Sequence, residues 1–487
     1  MRAFLASSIG VTCAAALLVP LANSATLAGT PSAPAHSGVT GPAGAPNPSG
    51  VTGASGGAHV DARKAGAQVP GHTQSLPLRE LSSGPRSGTG QFAAAEDDTA
   101  GAVELGPRAV RPFSLVGLVW DEADSQLRGR VQVRTHAANG EGWSRWRELE
   151  THTEDGPDAG EAARANSEAR GSTAPLWAGN SDGVQARVLP EGTLPTGLRL
   201  ELVDPGPDPA AKGAAPSGSG ARDAKPSVRK QRDVLPPLSK EETLGVYGSQ
   251  DWSHPAGDKG AKAENARTEA QPKSAPRSVP DGLLAGHIGP RPGIVTRHGW
   301  GANEQWRERG FLYTRSVRTA FVHHTAMSNN YRCSEVPRIL RSIYRYHVKS
   351  SKWRDIGYNF LVDKCGTIYE GRAGGVAKPV KGAHTYGFNS NSMGVAVLGS
   401  FANSRPPAAS VNAVAKLTAW KLGLFGVNPR GTAWMTSGGG TKYSKGKKVR
   451  LHTISGHRDG YATSCPGAQL YRKLGSARFI AARLQGR

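Results

Sequence analysis

The stretch AFVHHTAMSNNYRCSEVPRILRSIYRYHVKSS, residues 320–351, reads as a strand followed by a helix. Residues 320–326 have the length and apolar character of a strand, and they include the adjacent pair His323 and His324. Neighbours on a strand point to opposite faces, so one histidine can look into a cleft while the other packs or is solvated. In 334–351, Val336, Ile339, Leu340, Ile343 and Tyr346 recur at i, i+3, i+4, i+7 and i+10, the period of an amphipathic helix. Ser334 is expected to cap that helix, and Pro337 is tolerated in its first turn.

The same alternation continues downstream. YNFLVD (358–363), TIYEG (367–371), MGVAVLG (393–399) and VRLHTI (449–454) read as strands. AASVNAVAKLTAWKLGLFG (408–426) and PGAQLYRKLGSARFIAARL (466–484) read as helices. Strands interleaved with helices predict an α/β domain over 289–487, a mixed central sheet covered by helices, with ample chain for a core.

Upstream, FSLVGLVW (113–120), GRVQVRT (129–135), DGVQARV (182–188) and LRLELVD (198–204) predict a small all-β, sandwich-like module over 106–205. Trp120, Trp143, Trp146 and Trp177 either line a carbohydrate-stacking face or fill its core. Residues 25–105 and 206–288 are rich in Gly, Pro, Ala and Ser and read as disordered linkers, because they bury too little apolar surface to offset chain entropy. Residues 1–24 have the positive start, apolar centre and small-residue end of a cleaved signal peptide, which predicts a secreted protein with no stable membrane anchor.

Charge is concentrated at one end. The whole chain carries +22, whereas Pro290–Arg487 holds 32 Lys+Arg against 7 Asp+Glu, a net +25. A basic exported domain predicts contact with anionic cell-wall polymers rather than nucleic acid. Beyond the signal lie three cysteines, Cys333, Cys365 and Cys465. By counting alone any two could pair in an oxidising compartment; Cys333 and Cys365, the closest in sequence, are expected to do so.

That leaves Cys465 in SGHRDGYATSCPGAQL (455–470), eight positions after His457. Zinc accepts thiolate and imidazole ligands, and a catalytic site uses three protein ligands with a fourth place for water. His457 and Cys465 could supply two, with His323 or His324 as the third. The H-x7-C spacing does not by itself distinguish this from a buried thiol near a surface histidine.

Four motifs in order, FVHHTA (321–326), WRDIGYNFLVDKCGTIYEGR (353–372), GAHTYGFNSNSMGVAVLG (382–399) and GHRDGYATSCPG (456–467), carry a resemblance. The region from Pro290 onward resembles the peptidoglycan recognition proteins and the zinc-dependent N-acetylmuramoyl-L-alanine amidases. The resemblance implies zinc held by His323, His457 and Cys465. Relatives that only bind peptidoglycan typically lack the cysteine, so its presence implies an active hydrolase. Tyr358 matches the family's catalytic tyrosine. Thr463 stands where phage-type enzymes carry a lysine. His384 matches a groove histidine, and Asn389 and Arg372 are candidate substrate contacts, Arg372 for a stem-peptide carboxylate or an internal ion pair. The implied reaction is hydrolysis of the amide between N-acetylmuramic acid and L-alanine, by a monomer acting on peptidoglycan. Use of the same groove for binding without cleavage is the alternative.

Overall fold

The computed structural model describes residues 71–80, 102–151, 155–158, 169–207, 233–250 and 285–487. All of them belong to one compact unit, Ala65–Arg487. The expected signal peptide and most of the two expected linkers lie outside the described residues. No helix among those described is long and apolar enough to cross a membrane.

The amino-terminal part is all β. Its strands are β1 (Thr73–Pro77), β2 (Arg79–Glu80), β3 (Val103–Trp120), β4 (Gly129–Ala137), β5 (Gly142–Trp143), β6 (Arg147–Leu149), β7 (Gly171–Ser172), β8 (Leu176–Pro190) and β9 (Arg199–Val203). They join into one nine-stranded sheet along the path β1-β9-β3-β8-β4-β5. The register of β3 on β8 shifts at three places, and such bulges bend long strands. Alternation sorts the run in β3: Val116, Leu118 and Trp120 enter the module's own core, while Leu115 and Val119 join a second core shared with the carboxy-terminal domain. The run is apolar throughout because both faces are covered. The tryptophans divide accordingly, with Trp120 and Trp177 buried and Trp143 40% exposed.

The carboxy-terminal sheet is built from β10 (Val234–Leu235), β11 (Ile294–Val295), β12 (Thr319–His324), β13 (Phe360–Val362), β14 (Ile368–Glu370), β15 (Ser392–Val397) and β18 (Ile454–Gly456). Their order across the sheet is β10-β11-β14-β13-β15-β12-β18. A separate hairpin pairs β16 (Thr432–Thr436) with β17 (Lys448–His452). Strand β12 lies between β15 and β18, parallel to both. Val322, Val362 and Val395 pack under helices Ala408–Gly423 and Leu474–Gln485. On the other face Leu361 and Ala396 pack under helix Val336–Arg345.

Several elements differ from expectation. Ser334 does not cap its helix; it lies in a 3-10 turn, Cys333–Glu335, and the cap residue is Glu335. The helix runs on into a π-turn, Tyr346–Ser350, which projects the Tyr346 hydroxyl onto the Leu118 and Thr173 carbonyls of the module at 3.0 and 3.2 Å. Gly117 permits this, since a Cβ there would lie 2.4 Å from that hydroxyl. The expected strand 449–454 divides between β17 and β18, and the expected helix 466–484 divides into Ala468–Tyr471 and Leu474–Gln485.

The two predicted linkers are not wholly without structure. Thr73–Pro77 pairs with β9 through backbone hydrogen bonds, which composition does not register. Ser239 and Glu242 form a capping box that starts helix Lys240–Tyr247, and Tyr247 packs edge-on against Trp420 with ring centroids 5.7 Å apart.

Cys333 and Cys365 form the expected disulfide, across a sequence separation of 32. It ties the helix start to the β13–β14 turn. Replacing both cysteines by alanine should cost about 2–4 kcal/mol, the usual scale for such a loop. Denaturant unfolding of the full chain checks this, and an unchanged midpoint would show that the crosslink is energetically idle.

Candidate metal centre and groove

Two parallel strands set the centre. In the β12–β18 register Val322 faces Gly456, so the next residues, His323 and His457, emerge side by side. Their ring centroids are 4.4 Å apart, and both rings are buried. Cys465 returns to the same point after the turn that follows His457; its Sγ lies 3.9 Å from His323 Nδ1 and accepts the His324 amide at 3.4 Å. His323, His457 and Cys465 can offer ligand atoms that all lie within 4.8 Å of one another. Zinc bonds of ~2.0–2.1 Å to nitrogen and ~2.3 Å to sulfur put tetrahedral ligand atoms roughly 3.3–3.6 Å apart. The cluster is therefore the right size and chemistry for zinc after a small contraction. His324 lies on the other strand face, where its Nδ1 accepts the Phe401 amide and its Nε2 lies 3.2 Å from Glu150. Strand alternation thus decides between the two histidines.

The nitrogen of His323 opposite the cluster also has a partner. Thr385 Oγ1 lies 3.4 Å from His323 Nε2 and 3.0 Å from His384 Nδ1. With Nδ1 of His323 turned to the cluster, its Nε2–H donates to Thr385, whose hydroxyl proton then goes to His384. Outer partners of this kind fix the tautomer of a ligating histidine. Burial, followed by the neighbouring His323, pushes the His384 pKa well below its ordinary value. The His384 ring is therefore neutral. Its Nε2 has no hydrogen-bond partner among the described residues.

Tyr358 stands beside His323, ring centroids 5.4 Å apart. Its segment is braced: Asp355 accepts from Arg297 at 3.1 Å and from the Ala373 amide at 2.9 Å. The Arg372 guanidinium donates to the carbonyls of Ile356 and Lys381 at 2.9 and 3.0 Å. These contacts give Arg372 a structural task in the wall of the groove. Asn389 uses its carbonyl on the amides of His384 and Thr385, at 2.7 and 3.0 Å. Its NH2 points the other way. Thr463 accepts the Cys465 amide at 3.1 Å through its hydroxyl, which shapes the loop that carries the thiol. His347, stacked on Trp353 at 4.3 Å, is pushed down to about 3 by burial, against the pull of Asp155.

The amino-terminal module also reaches this site. Asp155 accepts the Tyr358 hydroxyl at 2.6 Å through Oδ2, and its Oδ1 lies 3.2 and 3.5 Å from Nδ1 of His323 and His457. Burial raises the Asp155 pKa, but the two imidazoles and the Tyr358 hydroxyl outweigh it and hold the group below the usual carboxylate range. The Tyr358 pKa is raised well above its ordinary value by burial and then by Asp155, so the phenol keeps its proton. Sequence reasoning missed Asp155, Thr385 and Glu150. Thr385 could have been found from its place beside His384. Asp155 sits 203 positions from Tyr358, in a different module, with no local signal.

Known proteins share this arrangement of sequence. The family model described as N-acetylmuramoyl-L-alanine amidase matches residues 313–468. Peptidoglycan-recognition protein SC2 of Drosophila simulans is 30% identical over 183 residues, covering 37% of this chain and 84% of that protein. The chain belongs to the peptidoglycan-recognition and type 2 amidase family. Another member, peptidoglycan-recognition protein 1 of Holotrichia diomphalia, is 29% identical over 186 residues, covering 38% of this chain and 79% of its own. The solved structure of Drosophila PGRP-LB is 24% identical with a TM-score of 0.30, over 38% of this chain and 92% of that one. Family membership rests on the carboxy-terminal region alone. Residues 62–223 match a separate family model, described as Rv3811 N-terminal galactose-binding domain-like.

Two substitutions probe the centre of this family member. Metal analysis of the purified full chain should find about one zinc per chain and little in Cys465→Ala, as expected when one of three ligands is lost. Thr385→Val should weaken zinc binding about 10–100-fold, the range for an outer partner. Equal retention by all three proteins would rule out a zinc site at this cluster.

Proposed function

We propose that this chain is a secreted zinc-dependent N-acetylmuramoyl-L-alanine amidase that hydrolyses the bond between N-acetylmuramic acid and L-alanine in peptidoglycan. The observation that carries the proposal is the convergence of His323, His457 and Cys465 at one buried point beside Tyr358. A protein that only recognised peptidoglycan would have no use for a thiol presented to two imidazoles. Bound there, zinc would supply Lewis acidity toward the scissile carbonyl and toward water.

The chain's own groups complete the chemistry. Tyr358, kept protonated, can donate to the oxyanion that develops on the carbonyl oxygen. His384 is neutral, with Nδ1 taken by Thr385, so its Nε2 bears the proton and is a second donor in the neighbourhood of His323. The NH2 of Asn389 and the amide of Gly387 can orient the stem peptide. Thr463, in the place of a lysine, brings no charge; its hydroxyl holds the Cys465 loop. The basic residues Lys442, Lys445, Lys447, Lys448 and Arg450, at the hairpin of β16 and β17, would hold the enzyme on anionic wall polymers.

Release of stem peptides from purified sacculi tests the activity. It should require zinc, stop with chelator, resume when zinc is restored, and fall about 10²-fold or more in Tyr358→Phe, the usual loss for an oxyanion donor. Binding to sacculi without metal-dependent release would instead favour recognition alone. Sedimentation with walls stripped of their anionic polymers should recover clearly less protein than intact walls; equal recovery would remove the role of charge.

A further inference from the structure

The loop that follows β6 closes the groove from within. Four residues, Asp155–Asp158, lie along the groove, and three of them bond to the groups assigned above to metal and substrate. Asp155 takes the Tyr358 hydroxyl. The Gly156 carbonyl accepts from Asn389 Nδ2 at 2.8 Å. Asp158 Oδ1 accepts from the same NH2 at 2.9 Å and from the Gly387 amide at 3.0 Å, while its Oδ2 pairs with Lys381 at 3.0 Å. No stem peptide can reach Tyr358 or the NH2 of Asn389 while these contacts stand.

Asp155 Oδ1 has a distinctive position. It is buried and lies within ion-pairing distance of two imidazole nitrogens. Separations of 3.2 and 3.5 Å between an oxygen and two ring nitrogens are those of ligands around a common centre, about 3.3–3.4 Å for zinc. The three carboxy-terminal ligands leave one position for a fourth, and Asp155 Oδ1 stands next to two of the three.

We propose that Asp155 is a fourth, removable ligand of the metal, and that Asp155–Asp158 is an internal occupant of the groove which keeps the enzyme latent until substrate or a partner displaces it. The inference rests on the amidase assignment and extends it to control. A closed four-ligand zinc shell leaves no place for water, whereas loss of Asp155 opens it. The plug is held by the polar contacts named above. The module that carries it is anchored elsewhere, through Leu115, Val119, Trp177 and Val203 packed with Ile339 and Tyr346. The plug can therefore leave the groove without breaking that apolar interface. While it is seated, the apparent affinity for stem peptide is reduced by the fraction of molecules that are open. Its two carboxylates and one carbonyl meet the donors that an acidic stem peptide would use, so plug and substrate compete directly.

Cobalt in place of zinc in the full chain gives a readout independent of turnover. The visible spectrum of the wild-type cobalt protein should not change with azide, because no coordination position is open. Asp155→Ala should show an azide-dependent change and release zinc to a chelator with affinity weakened about tenfold or more, at least the loss seen for outer partners. Asp158→Ala should keep its zinc affinity and bind an N-acetylmuramoyl dipeptide about tenfold or more tightly than wild type, the scale of the charged hydrogen bonds removed. A wild-type spectrum that responds to azide as readily as the variant overturns the fourth ligand, and that titration needs no variant to fold. Wild-type protein that binds no metal at all removes the amidase assignment itself, a different result from metal bound in an open shell.

Discussion

The centre depends on the parallel pairing of β12 with β18. One register, Val322 opposite Gly456, determines that His323 and His457 leave their strands together. A shift of one residue would turn His323 to the far face of the sheet, where His324 now packs. The register is held by burial on both sides: all six residues of β12 are buried, and so are all three of β18. The chemistry thus inherits its precision from the sheet, and Cys465 needs only a short loop to reach a point already defined.

Around that point the polar groups are arranged in series. Asn389 holds the backbone of His384 and Thr385, Thr385 bridges His384 to His323, and His323 faces His457 and Cys465. Arg297, Asp355 and Arg372 brace the opposite wall and with it Tyr358. These linked bonds stiffen the walls of the site, and stiffness keeps donors aimed at a charge that appears only during reaction.

The amino-terminal module is part of the same physical unit. Strands β3 and β9 give one face to the module's interior and the other to the core beneath helix Val336–Arg345. This shared core holds the module in place, so the short acidic segment it carries is presented to the groove at high effective concentration. Permanent adhesion and a displaceable polar contact are thereby separated onto different residues.

The α/β class, the main strands and helices, the disulfide pair and the candidate ligands His323, His457 and Cys465 were legible in sequence. Each leaves a local mark: a period, a spacing or a motif. Short pairings such as Thr73–Pro77 on β9 were not legible, because an edge strand is held by backbone hydrogen bonds that any side chains permit. The resemblance already named His323 over His324, but its physical reason needed the sheet, since alternation says that the two diverge but not which face holds the partners. Thr385 and Asp155 needed the fold still more. Asp155 comes to two imidazoles and a phenol from a distant strand turn, and only the packing of one module on another could put it there.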